Sequence, residues 1–427
     1  MRKIAWIFAV TLGLTLAGCG GGGGSSNSAT ASSQSGGGNQ VAPPVNQNVS
    51  NVLAADASAV PTSSLATNTV PVTVSATGIL NQPMTSVQIC TPGSNGVNNC
   101  STIPNVIVDT GSYGLRLFRS VIPNATFNTL VAEKDTNNQT LAECAVFGSG
   151  FGWGTVYQAD VKLSSEVAQN LPIHVLADPA LSTAAPTACQ NGTALTTPAA
   201  MGANGILGIG ASPTDCPSCT LISNPSFYYT NAGTVTTVTA SQLVANPVSK
   251  FVTDNNGVIL EMAQVSDSGS PTGSGTLVFG IDTQSNNALA GTNATLIRTD
   301  SSGTFTSTFN GATQRNTFFD SGSTELFFAD STIPHASSGF YVPTSPVGRT
   351  ATLTTISPST ATFGFNIANA TVVTAGGNTA FNNLGVFSGG QLDLGIPAFY
   401  GRHVYYGITG TTSTGGGTGP YVAYTSS

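Results

Sequence analysis

Charge is scarce in this chain. Only 7% of its 427 residues are Asp, Glu, Lys or Arg, with 11 basic against 18 acidic side chains. So few cations over that length make no basic stripe to neutralise phosphates, which argues against a nucleic-acid partner. Histidine is nearly as rare. His174, His335 and His403 lie far apart in the sequence and make no zinc-ligand cluster, so neither a metal nor a cofactor is expected. No Gly-x-Ser-x-Gly elbow occurs, which with so little histidine disfavours a Ser-His-Asp hydrolase. Mean hydropathy is slightly positive, at +0.15, yet no run beyond residue 16 is long and apolar enough for a membrane span. The surface must be covered mostly by Ser, Thr, Asn and Gln, as suits an extracellular β-rich protein.

The N-terminus reads as an export signal. Arg2 and Lys3 precede an apolar run from Ile4 to Leu16, too short for a permanent span. It ends in Leu16-Ala17-Gly18-Cys19, which resembles the lipobox of bacterial lipoproteins. By that resemblance residues 1–18 are a signal peptide and Cys19 carries the lipid. Gly20 follows Cys19 where an Asp often marks inner-membrane retention, so an outer-membrane anchor is expected, its face left open. Residues 19–49 hold almost no apolar side chain outside a few Val and Ala, and read as a flexible Gly/Ser-rich tether. Residues 50–265 and 266–427 are expected to form an N-terminal and a C-terminal β lobe.

Six cysteines remain: Cys90, Cys100, Cys144, Cys189, Cys216 and Cys219. An even number in an exported chain points to disulfides. Cys90 and Cys100 flank a Gly/Asn-rich turn and are the first pair expected. Cys216-Pro-Ser-Cys219 reads as a loop staple, with a redox-active pair as the rival.

Strand-like runs dominate, at Val70–Val74, Val87–Ile89, Val106–Val108, Thr155–Tyr157, Ala159–Leu163 and Leu277–Phe279. Pro71 suits an edge strand or an opening residue. Short helices are expected only around 242–252. Against this all-β background one pattern occurs twice. Ile107-Val108-Asp109-Thr110-Gly111-Ser112 and Phe318-Phe319-Asp320-Ser321-Gly322-Ser323 each run an apolar strand into Asp, hydroxyl, Gly, hydroxyl. Downstream of each lies an apolar-Gly segment: Gly205-Ile206-Leu207-Gly208-Ile209-Gly210, then Leu392-Asp393-Leu394-Gly395-Ile396-Pro397. A single Asp-[Ser/Thr]-Gly turn is cheap in a chain this rich in Ser, Thr and Gly. The same order used twice is what two related lobes leave in a sequence.

The pattern resembles the pepsin-like aspartic peptidases, two β lobes around a central cleft with one Asp loop from each at its floor. Ala203–Gly208 resembles the family's strand beneath the first loop. Phe147-Gly148-Ser149-Gly150 resembles the flap over the cleft, Gly275–Asp282 the opening of the second lobe, and Leu394–Arg402 its closing strand and short helix. The likeness runs from about residue 68 to 424. The whole chain also resembles an uncharacterised family of proteobacterial exported lipoproteins. Four positions depart from the pepsin pattern. Phe147 stands for the flap Tyr, Arg116 for a Trp, Asp393 for an apolar residue and Ile396 for a common Asp. No Lys or Arg lies between Lys3 and Arg116, so the basic pro-segment of secreted pepsins is missing.

The resemblance implies that Asp109 and Asp320 form the catalytic pair. Thr110, Gly111, Ser112, Ser321, Gly322 and Ser323 would support their loops, and Phe147, Gly148, Phe151, Trp153 and Arg116 would contact an extended peptide or protein substrate. The chain is expected to act as a monomer. The alternative keeps the fold without the enzyme, as a surface lipoprotein binding peptide or glycan in its cleft. Asp254-Asn255-Asn256-Gly257 reads as a polar turn rather than a calcium loop.

Overall fold

The computed structural model describes residues 57–75, 79–356 and 359–426. The expected signal peptide, the expected tether and Cys19 lie outside the described residues. Helices are single turns, at Asn124–Phe127, Pro198–Met201 and Ala370–Val373. The sequence explains why. β-Branched residues alternate with Ser and Thr, and Gly, Asn or Pro soon closes each run, so no apolar stripe of helical period persists. All six expected strand runs lie in strands. The two at 155–157 and 159–163 belong to one long strand, Gly150–Leu163. Around 242–252 the helical element is a 3-10 turn, Pro247–Lys250, whose Val248 N–H is capped by the Asn246 side chain.

Two large sheets, of fifteen and seven strands, organise the chain. The larger one begins with strands drawn from residues 84–230 and ends in a run of six. These are Thr69–Val74, Gly273–Phe279, Gly257–Met262, Arg402–Gly407, Tyr421–Thr425 and Thr295–Arg298. The seven-stranded sheet is drawn wholly from residues 305–395. The run of six mixes the two halves of the sequence, and the expected boundary at 265/266 falls between two paired strands within it. The apolar core is continuous through it, with Val72, Val108 and Leu207 in the same cluster as Phe319, Leu394 and Tyr406. The protein is all-β, two large sheets built around one continuous apolar core.

Pro71 is accommodated as an edge residue would be. Its strand pairs fully with Gly273–Phe279 but meets Met84–Cys90 only at Thr73. Pro71 turns its carbonyl to that open side, where the Thr85 hydroxyl donates to it at 2.8 Å, and its missing N–H points the same way. Phe319, one residue before the second Asp, is fixed by the rings of Phe305, Phe363, Phe399 and Tyr424, with centroids 5.3 to 6.1 Å away. Burying such a ring contributes about 1.5–3 kcal/mol and holds the end of its strand in place. Disulfides join Cys90 to Cys100, Cys216 to Cys219, and Cys144 to Cys189.

Candidate active site

Both Asp motifs end a strand, Ser101–Asp109 or Ala312–Asp320, and both strands are braced in one way. The apolar-Gly segment runs parallel beside each, so that Asp109 stands opposite Gly208 and Asp320 opposite Gly395. The chain leaving each loop returns along the far side of the same segment, antiparallel, as Tyr113–Leu117 or as Leu326 and Phe327. The Gly is a steric requirement. A Cβ on Gly208 would lie 2.6 Å from the Tyr113 nitrogen, and one on Gly395 only 2.0 Å from the Glu325 carbonyl oxygen. The duplicated sequence order is thus a duplicated structure.

The two loops meet and interlock. Thr110 N donates to Ser321 Oγ at 3.1 Å, while Ser321 N donates to Thr110 Oγ1 at 2.9 Å. Ser321 Oγ in turn donates to the Val108 carbonyl at 2.7 Å. Each loop Gly lies against the opposite carboxyl group. A Cβ on Gly111 would be 2.6 Å from Asp320 Cγ, and one on Gly322 2.6 Å from Asp109 Oδ1. Only glycine lets the backbones approach so far. The two carboxyl groups are thereby brought close together, and the charge of Asp109 bears on Asp320. Inside each loop, Gly111 N and Ser112 Oγ donate to the two oxygens of Asp109 at 2.8 and 2.5 Å. Gly322 N and Ser323 Oγ do the same for Asp320, both at 2.8 Å.

Burial and then the charge of Asp109 push the Asp320 carboxyl up to about 7, against the pull of the Ser323 and Gly322 hydrogen bonds. Acids this close do not both ionise easily and share a proton. Two further buried acids stand beside them. Burial lifts Glu325 to about 7, eased by the Thr324 hydroxyl. Burial, followed by the charge of Asp320, lifts Asp393 well above the carboxylate range.

The sequence profile of the family described as "Protein of unknown function (DUF3443)" matches residues 64–424. The chain belongs to this family. No curated protein matches it. Among solved structures, it is similar to the aspartic proteinase from Irpex lacteus, at 17% identity and a TM-score of 0.47, over 83% of this chain and 96% of that one.

In this DUF3443 chain the flap-like hairpin is Leu141–Phe147 with Gly150–Leu163, turning at Gly148 and Ser149. Alternation along the second strand puts Phe151 and Trp153 on one face. That face is filled, in a cluster with Val146, Leu181, Tyr229 and the Cys144–Cys189 disulfide. Trp153 Nε1 donates to the Thr183 carbonyl at 2.8 Å, and Phe151 N to that of Thr193 at 2.9 Å. Phe151 and Trp153 thus hold the hairpin to residues 181–194 and are not presented to a ligand as expected. Phe147, half-buried, and Gly148, exposed and with open space around it, stay at the tip.

Arg116 is also not free to meet a substrate. It is buried, donates from Nη2 to Glu143 Oε1 at 2.6 Å and from Nη1 to the Tyr113 carbonyl at 2.6 Å, and lies 3.7 Å from Asp215. His174 stands 3.2 Å from Glu143, and the Tyr228 hydroxyl donates to Asp215 at 2.8 Å. Burial raises Glu143 and Asp215, opposed by the Arg116 charge, and lowers His174. This network ties the first Asp loop to the hairpin. Only the polar residues at 143 and 174 inside apolar runs signalled it in the sequence. Asp254 accepts hydrogen bonds from Thr283 and Gln284, and Asn256 bonds the Ile281 backbone, so the 254–257 segment is a hydrogen-bonded turn.

Proposed function

We propose that the protein is an aspartic endopeptidase-like hydrolase of peptide bonds, using Asp109, Asp320 and an activated water. The observation that carries this reading is the convergence of two Asp loops locked by reciprocal Thr110–Ser321 hydrogen bonds, each with a Gly against the other's carboxyl. A pair of structural turns needs no such agreement. In the reaction, the ionised carboxylate takes a proton from water as its oxygen adds to the peptide carbonyl carbon. The protonated carboxyl donates to the carbonyl oxygen. The tetrahedral intermediate then breaks its C–N bond as the nitrogen receives the proton taken from water, and the hydroxyl proton returns to the pair. Asp320, lifted to about 7, is the member suited to hold the shared proton. An extended peptide would lie as an added strand beneath the tip at Phe147 and Gly148. Lipidation at Cys19 would place this activity at the outer membrane.

The test is binding of a peptide whose scissile amide is replaced by a secondary alcohol, a mimic of the tetrahedral centre. It should bind at least about 100-fold more tightly than the parent peptide, and Asp320→Asn should abolish the difference. Equal binding of both peptides would favour a silent cleft that only holds its ligand.

A further inference from the structure

Asp393 departs from the apolar residue expected at its position, and the structure gives it a partner. On the strand Leu392–Gly395 the two Leu side chains are packed in the core, and Asp393 alternates to the opposite face. It is 3% exposed. Its Oδ2 lies 2.7 Å from Ser323 Oγ, the hydroxyl that is also 2.8 Å from the Asp320 Oδ2. Its Oδ1 is buried with no hydrogen-bond partner among the described residues.

The Ser323 hydroxyl has one hydrogen and stands between two carboxyl oxygens, both at hydrogen-bonding distance. Were both groups anionic, one short contact would join two acceptors without a proton. One carboxyl must therefore donate. Asp320 already has its other oxygen held by Gly322 N at 2.8 Å, whereas Asp393 would leave a bare anionic oxygen in the core, a state burial opposes strongly. The charged groups bearing on Asp393 are Asp320, Asp109 and Glu325, all acids, and it acts in turn on the Tyr406 phenol. Each disfavours an anion there.

We propose that Asp393 is a positioning residue of the Asp pair, a neutral acid that donates to Ser323 Oγ, whose own hydrogen is thereby directed onto the outer oxygen of Asp320. Asp109, Asp320 and Asp393 together then hold two protons, one shared by the pair and one on Asp393. The chain Asp393–Ser323–Asp320 keeps the Asp320 carboxyl in a fixed rotamer and supports its ionised form when the shared proton moves to Asp109. The role rests on the reading of Asp109 and Asp320 as a working pair.

Two variants of the full chain separate this role from its rivals. In Asp393→Asn the amide still donates to Ser323 but carries no charge. In Asp393→Leu the donor is replaced by the kind of residue the pattern expects. Peptide cleavage should be little changed in Asp393→Asn, with the alkaline limb of its pH profile unmoved. It should fall about tenfold in Asp393→Leu, the upper size of one neutral hydrogen bond. Carbon-13 NMR of the Asp carboxyls should show one aspartic acid that keeps its proton after the exposed carboxyls have ionised, and this signal should be lost in Asp393→Asn. A downward move of the alkaline limb in Asp393→Asn would overturn the proposal, since it would mark Asp393 as an anion that raised the pair by its charge. So would a fully active Asp393→Leu, or an unchanged carboxyl spectrum in Asp393→Asn. A wild-type protein that cleaves no peptide would refute the working pair and with it the positioning role. The carboxyl titration would still decide, by itself, where the proton sits.

Discussion

Replacing Glu325 by Gln should stabilise the folded protein at pH 8 and cost about 1 kcal/mol at pH 4. Glu325 is buried beside the second Asp loop, where the Thr324 hydroxyl donates to its carboxyl at 2.6 Å. Burial lifts its carboxyl from 4.5 to about 7. Between those values the folded state holds a proton that the unfolded chain has released, so stability falls as pH rises through that window. A lift of about two and a half units at 1.36 kcal/mol each amounts to about 3 kcal/mol of stability lost above pH 7. Glutamine removes that loss. Its oxygen can keep the Thr324 hydrogen bond, but its amide hydrogens enter a buried site built around an acceptor, at a cost of about 1 kcal/mol. The expected net gain at pH 8 is about 2 kcal/mol. Urea unfolding of both proteins at pH 4, 6 and 8, with disulfides intact, measures it. A difference between variant and wild type that stays the same at all three pH values would refute the reasoning.

Three further outcomes follow from the same structure. Arg116→Met leaves Glu143 and Asp215 buried without their cation, so unfolding free energy should drop by about 3–5 kcal/mol at neutral pH. The loss should shrink in acid, where both carboxyls are neutral, as urea melts at pH 4 and 7 would show. Ser321→Ala strips Thr110 N of its acceptor and should cost about 1–3 kcal/mol, read by thermal unfolding. Gly395→Ala drives a Cβ to 2.0 Å from the Glu325 carbonyl oxygen. It should destabilise by more than about 3 kcal/mol, seen as a lost near-ultraviolet circular dichroism signal.

The fold and the centre of the site were legible because their requirements are local. Two backbones can approach each other's carboxyl only through glycine, so Gly111 and Gly322 had to be written into the motif beside each Asp. Gly208 and Gly395 had to recur where the bracing strands pass under the loops. Strands were legible from β-branched alternation, though Pro71 suggested an edge and its strand has a neighbour on both sides. What failed to show were contacts set by tertiary packing. Phe151 and Trp153 read as flap aromatics because nothing near them in sequence reveals the segment 181–194 that covers them. Arg116 looked available because Glu143 and Asp215 lie on other strands and loops. Asp393 stood out as an anomaly, but its hydroxyl partner, Ser323, is 70 residues away, and only the fold joins them.

The most direct measurement is cleavage of a mixed peptide library by the wild-type protein beside Asp109→Asn and Asp320→Asn, from pH 3 to 8, roughly the range over which carboxyl groups titrate. The wild type should cut peptides and lose activity as pH rises through about 7, where Asp320 gives up its proton. Each variant should be folded and inactive. A folded wild type that cuts nothing, or cleavage that survives either substitution, would contradict the assignment of Asp109 and Asp320 as the catalytic pair.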